Sequence, residues 1–317
     1  KTTLRRWCLY GWTLAKWTMA ASAIGVVCGL IGTMFHFGVH EVTAFRGTHP
    51  WVLYLLPLAG FVIVSFYKLT ETDGLGTDDI IDAVHEGKRL PILLLPAIFF
   101  GTVLTHLCGG SAGREGAALQ IGGGIGYQAG RLLRLGEKDL PLATLCGMSG
   151  VFAALFGTPL TATVFALEVI SVGVLYYAGL VPCLTAALTG YLVSVLMGVP
   201  PTRFTVTVPG LEVRTMLLVM VLALLCAVVS ILFCRGLHGV ERLLKRTLKN
   251  PYLRVAVGVA VLIGLTLLTN GDYNGAGMEV IGRAIAGQAD PWAWVWKLIF
   301  TAITIGCGFK GGEVVPS

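Results

Sequence analysis

Between Pro141 and Val199 the chain carries one acidic or basic residue, Glu168. A bilayer core of about 30 Å is crossed by about 20 apolar residues, so a stretch this long must hold several helices. Composition extends the argument to the whole chain. Of 317 residues 55% are hydrophobic and 13% charged, and the mean hydropathy is +0.80. Such a chain is a polytopic membrane protein. Further full-length spans are expected at residues 17–39 and 215–234, with shorter ones at 51–67, 90–108, 255–269 and 292–309.

The net charge of +6 does not indicate nucleic acid. Lys and Arg sit at the edges of apolar spans, as the positive-inside rule expects, and Lys1, Arg5, Arg6 and Lys16 place the N-terminus in the cytoplasm. Residues 2–15 are expected to form a separate amphipathic helix on the membrane surface, presenting Trp7, Leu9, Tyr10 and Trp12 to the interface. The span at 17–39 exceeds a signal-peptide core of about 7–15 residues and is expected to remain in the mature protein. Seven of the eight cysteines lie in apolar segments and none forms a C-x-x-C pair, so no zinc site or disulfide framework is implied. His36 and His40 read as an interfacial helix end. No metal and no cofactor is expected.

One polar interruption stands out at Gly109-Gly110-Ser111-Ala112-Gly113-Arg114-Glu115-Gly116, set between two apolar stretches. So many glycines cannot be a helix interior. A broken helix at membrane depth is tolerated only where its backbone is buried in protein or lines a watery cavity. A carboxylate there costs about 2.5–3.5 kcal/mol on insertion scales, which makes Glu115 a candidate functional residue.

The interruption belongs to a repeated pattern. Gly74-Leu75-Gly76-Thr77-Asp78-Asp79-Ile80 is matched by Gly275-Ala276-Gly277-Met278-Glu279-Val280-Ile281, and Cys108 to Glu115 by Cys307-Gly308-Phe309-Lys310-Gly311-Gly312-Glu313. Thr77 is expected to cap a short helix with Asp78 and Asp79 in its first turn. Paired, glycine-interrupted segments in two halves point to a transporter whose repeats meet at a midplane site. Converging helix N-termini make that site suitable for an anion. Arg114 and Lys310 can add charge or pair with structural acids. The expected organisation is an interfacial helix at 1–16, a first half at 17–200 and a second at 201–317.

A different chemistry competes at Gly147-Met148-Ser149-Gly150, where G-x-S-G resembles the nucleophile motif of intramembrane serine proteases with His106 as base. Small residues packed between helices explain the tetrapeptide equally and are preferred.

Taken together the motifs resemble the CLC family of anion channels and anion/proton antiporters. Gly113-Arg114-Glu115-Gly116 is similar to the family's G-[KR]-E-G-P motif, Gly74-Leu75-Gly76-Thr77 stands where chloride members carry G-S-G-I-P, and Phe165-Ala166-Leu167-Glu168 resembles an F-x-x-E segment. The resemblance implies an all-α membrane fold of two inverted repeats with many tilted and broken helices, assembled as a homodimer in lipid. It makes Glu115 the gating and proton-carrying glutamate. Gly74, Leu75, Gly76, Gly113, Arg114, Gly116, Glu313, Val314 and Val315 become anion-site residues. It also implies further membrane helices after Ser317.

Gly311-Gly312-Glu313-Val314-Val315-Pro316 resembles the fluoride/proton antiporter branch, which bacteria use to expel fluoride. The second acid that chloride/proton exchangers carry after Glu168 is Val169 here. The expected function is therefore export of fluoride in exchange for protons across a bacterial plasma membrane. The alternative within the family is a chloride channel without proton coupling.

Overall fold

The computed structural model describes residues 2–170, 176–202, 210, 212–288 and 290–312, with side chains at Trp7 and from Tyr10 onward. Among these, twelve α-helices and two 3-10 turns (Pro50–Leu55, Tyr177–Gly179) account for the regular structure. The helices are α1 Thr2–Thr48, α2 Leu56–Leu69, α3 Thr77–His85, α4 Leu94–Leu107, α5 Glu115–Leu132, α6 Leu140–Phe156, α7 Pro159–Glu168, α8 Leu180–Leu196, α9 Val213–Thr247, α10 Pro251–Leu268, α11 Met278–Ile285 and α12 Ala293–Gly306. The one β-type pairing among the described residues is an isolated antiparallel bridge, Gly113 with Gly312.

Five segments are long and apolar enough to cross a membrane: Tyr10–Thr48, Pro50–Leu69, Tyr177–Leu196, Val213–Thr247 and Pro251–Leu268. α4, α6 and α12 are apolar but shorter. At 14 residues each, α4 and α12 rise about 21 Å and stop short of a full crossing.

Two expectations change. The surface helix at 2–15 is not separate, because α1 continues unbroken for 47 residues. No proline interrupts residues 2–48 and only Gly11 lies near the expected joint, a cost of about 1 kcal/mol that a long helix absorbs. Trp7, Tyr10 and Trp12 remain exposed, as interfacial aromatics would be. The span at 215–234 likewise extends to Thr247. Phe233 and Leu237 are buried, Gly236 admits Leu298 and Gly306 admits Val240 and Leu244, so packing against α12 carries α9 past its charge-free portion.

The chain divides into two compact units: Lys1–His40, Tyr67–Phe99 and Gly116–Thr202 form the first, and Glu41–Phe66, Phe100–Glu115 and Arg203–Ser317 the second. In the first, α6 is buried along most of its length, and small residues let backbones touch. A Cβ on Gly122 would lie 2.5 Å from the Gly147 carbonyl, one on Gly190 2.7 Å from that of Gly150, and one on Gly25 2.6 Å from that of Ala186. Such approaches are how membrane helices associate without a hydrophobic drive. Ser149 belongs to this packing, donating from Oγ to the Cys183 carbonyl at 3.1 Å.

Along the sequence, α4 and α12 are matched at a separation of 199 positions, from 94 to 293 and from 107 to 306. The match extends to single atoms in the segments that follow them. Gly109 and Gly308 both take positive φ, 87° and 108°. Ser111 N–H donates to Thr304 Oγ1 at 3.1 Å, and Lys310 N–H donates to Thr105 Oγ1 at 3.3 Å. Gly113 and Gly312 exchange both backbone bonds, at 2.5 and 2.6 Å. Each bond thus has a mate with donor and acceptor interchanged between the segments.

Candidate functional site

The peptide from Gly109 to Glu115 leaves α4, crosses the reciprocal bridge and enters α5. Its polar groups are buried and bonded, as backbone at membrane depth must be. Ser111 is fully buried, and its Oγ lies 3.1 Å from Thr301 Oγ1. The Gly110 carbonyl accepts from Gly275 N–H at 3.2 Å. The first helical residue of α5 is Glu115, only 3% exposed. Its Oε2 accepts the N–H of Arg114 at 3.0 Å. The carboxylate therefore folds back onto its own helix N-terminus, the place where unsatisfied N–H groups favour negative charge.

Among the sequence-predicted residues, the structure brings Gly113, Arg114 and Glu115 together in the second unit, with Gly116 continuing α5. Gly74, Leu75 and Gly76 lie in the first unit. Gly74 takes φ 84°, which a glycine tolerates without strain. Leu75 N–H donates to the Thr72 carbonyl at 3.1 Å. Gly76 N–H donates to Asp79 Oδ2 at 2.8 Å. Glu313, Val314 and Val315 fall outside the described residues.

The helix cap is shifted by one from the expectation. Gly76 is the N-cap and Thr77 the first helical residue, because Asp79 reaches back to Gly76 N–H and closes the turn itself. Thr77 Oγ1 is used by Gln120, whose amide donates to it at 2.9 Å. Asp79 also pairs with Lys88. Burial opposes ionisation of Asp79, but the Lys88 ammonium and the Gly76 N–H outweigh it and hold the carboxyl below its usual range.

The residue that sequence reasoning undervalued is Lys297. It is buried in α12 at 8% exposure. Its ammonium donates to Ser111 Oγ at 2.9 Å, to the Tyr273 carbonyl at 3.1 Å and to the Gly275 carbonyl at 2.5 Å. All three donors are satisfied. One signal was present, since Lys297 stands alone in an apolar stretch. Arg46 acts alongside it, donating from Nη1 to the His106 carbonyl at 2.7 Å.

The hydrolytic arrangement finds no support in the bonds made. Ser149 Oγ donates to a backbone carbonyl, and His106 Nδ1 bonds the Thr102 carbonyl of its own helix at 2.9 Å. No group of metal-ligating side chains occurs among the described residues.

Comparison with known proteins places this geometry. The family model described as voltage gated chloride channel matches residues 58–317. A curated relative named chloride/fluoride channel protein, from Pseudomonas syringae pv. tomato, is 33% identical over 96% of this chain and 69% of its own length. A solved structure described as a CLC-type fluoride/proton antiporter superposes with a TM-score of 0.90 at 33% identity, covering 96% of this chain and 78% of the other. A slow cyanobacterial Cl-/H+ antiporter shares the fold at a TM-score of 0.76 and 20% identity, over 95% of this chain and 76% of its own. The inverted pair of broken helices, the glutamate at the α5 N-terminus and these matches agree: the chain is an ion-transporting membrane protein and belongs to the voltage-gated chloride channel, or CLC, family.

Proposed function

We propose that this protein exports fluoride from the bacterial cytoplasm in exchange for protons, with Glu115 as the gating and proton-carrying group. The observation that carries the reading is the buried Glu115 carboxylate at the N-terminus of α5, bonded to Arg114 N–H. An ionised carboxylate there occupies the position a free anion would seek, and protonation removes the charge and releases the position. Alternation between the two states couples an anion to a proton.

Fluoride is favoured over chloride by the Gly311 to Pro316 segment and by the descriptions of the relative and the structure that match at 33% identity. Gly74, Leu75, Gly76, Gly113, Arg114, Gly116, Glu313, Val314 and Val315 complete the anion site in this reading. The repeat halves are 17–200 and 201–317, the N-terminus is cytoplasmic, and two copies assemble in lipid of the plasma membrane. A chloride channel without proton coupling is the second reading, favoured by Val169 standing where exchangers carry an acid.

Proteoliposomes loaded with fluoride, with a fluoride electrode outside and a pH-sensitive dye inside, separate the two. Fluoride efflux with opposite proton movement is expected. Chloride conductance with no proton movement would favour the channel.

A further inference from the structure

The fold does not require a lysine at position 297. At the separation of 199 positions that relates α4 to α12, Lys297 corresponds to Ile98, which is buried at 2% exposure. An apolar side chain satisfies the matching position. A charged one at membrane depth is costly, so its presence on one side only calls for a function.

Its contacts show where that function acts. The three acceptors of the ammonium are Ser111 Oγ and the carbonyls of Tyr273 and Gly275, all neutral, and no carboxylate pairs with it among the described residues. Ser111 is fixed a second time through its N–H on Thr304. Two residues later Gly113 is held by Gly312, and two residues after that comes Glu115. Lys297 therefore secures the root of the peptide whose other end bears the gating carboxylate. It ties that root to the glycine break that opens α11.

Charged groups of both signs lie around it. From α1, Arg46 reaches the same break, where a Cβ on Gly275 would stand 3.0 Å from Nη2. Arg114 lies beside Glu115, His106 on α4 is within electrostatic reach of Arg46, Arg114 and Lys297, and Tyr273 contributes its carbonyl. Glu279 on α11 acts on Arg46. Within the secured peptide itself, Glu115 is the one carboxylate.

We propose that Lys297 is a positioning residue for anion/proton exchange: it anchors the Ser111–Glu115 peptide to the Tyr273–Gly275 carbonyls and, when protonated, adds positive charge that favours the ionised gate and the bound anion. The inference rests on the transport function proposed above. Its mark is electrostatic as well as structural.

The test compares Lys297→Met, Lys297→Gln and Lys297→Arg as purified full-length protein, first by size-exclusion profile and then by the pH–rate profile of fluoride efflux and calorimetric titration with sodium fluoride. In both neutral variants the midpoint of the pH–rate profile is expected to move about one unit to higher pH, because loss of a nearby cation eases protonation of the gate. Fluoride affinity should fall about tenfold. Lys297→Arg should restore both.

Unchanged midpoint and affinity in a folded neutral variant would overturn the proposal. So would failure of both neutral variants to fold while Lys297→Arg behaves as wild type, which would reduce the residue to a structural anchor. Glu115→Gln serves as the control on the underlying function: wild-type proton coupling in that variant would overturn the antiport reading, whatever Lys297 does.

Discussion

The glycine breaks that open α3 and α11 have the same sequence character and are tied off in opposite senses. In the first, an acid takes up a backbone donor: Asp79 accepts from Gly76 N–H. In the second, a base takes up backbone acceptors: Lys297 donates to Tyr273 and Gly275 carbonyls. Residue 280, three past the α11 N-cap Gly277, is valine, so α11 has no counterpart of Asp79. Ile98, the counterpart of Lys297, has no charge to give. The repeat therefore preserves the spacing of the glycines but neither the conformation of the second one nor the chemistry that secures the break: Gly76 is extended at φ −149° and Gly277 left-handed at φ 82°.

The sharpest test of that divergence is Glu115→Gln. Glu115 is the proposed proton carrier of the first segment, so one substitution should abolish proton-coupled fluoride flux, leaving at most an uncoupled leak. Wild-type proton movement in the dye assay would remove the asymmetry from the mechanism.

Next in size is Ile98→Lys, which copies the second-half charge into the first. Ile98 is buried at 2% exposure, so a lysine there should lower stability by about 2.5–3.5 kcal/mol and reduce the yield of folded protein on size exclusion. A normal yield would show that the first half tolerates the same anchor.

Smaller effects are expected where the two segments agree. Thr105→Val and Thr304→Val each remove one of the reciprocal caps. Each should cost about 0.6 kcal/mol, the typical worth of a hydrogen bond between membrane helices, as read by thermal unfolding in detergent. A large difference between them would break the symmetry at the place where geometry is most alike.

The smallest effect concerns pH at the α3 cap. Asp79 is held below its usual range in the folded protein, so its contribution is full above the unfolded carboxylate value of about 3.9 and is lost as pH falls through the lower folded value. Thermal scans of Asp79→Asn should therefore show a reduced midpoint near neutral pH and converge with wild type in strong acid. A difference that persists there would assign the effect to packing.

Most of the transport architecture was legible in the residues. The charge-poor run around Glu168 announced several helices, and the paired breaks announced the repeat. A lone carboxylate in a broken helix drew attention to Glu115, which lies buried at the N-terminus of α5. What escaped was tertiary. The continuity of α1 across residue 15 depends on the absence of a strong breaker, and the extension of α9 depends on Gly236 and Gly306 admitting side chains across the α9–α12 contact. Lys297 was visible as a charge but not as an anchor. Two of its three acceptors are backbone carbonyls some 20 positions away, and carbonyls leave no mark in a sequence. Thr77 misled because its hydroxyl serves Gln120 rather than the helix end it stands at.

The bridge between Gly113 and Gly312 has one more implication. Because each glycine is donor and acceptor to the other, the pairing is self-complementary. Displacing either glycine therefore breaks both bonds at once, and the two segments lose their register together.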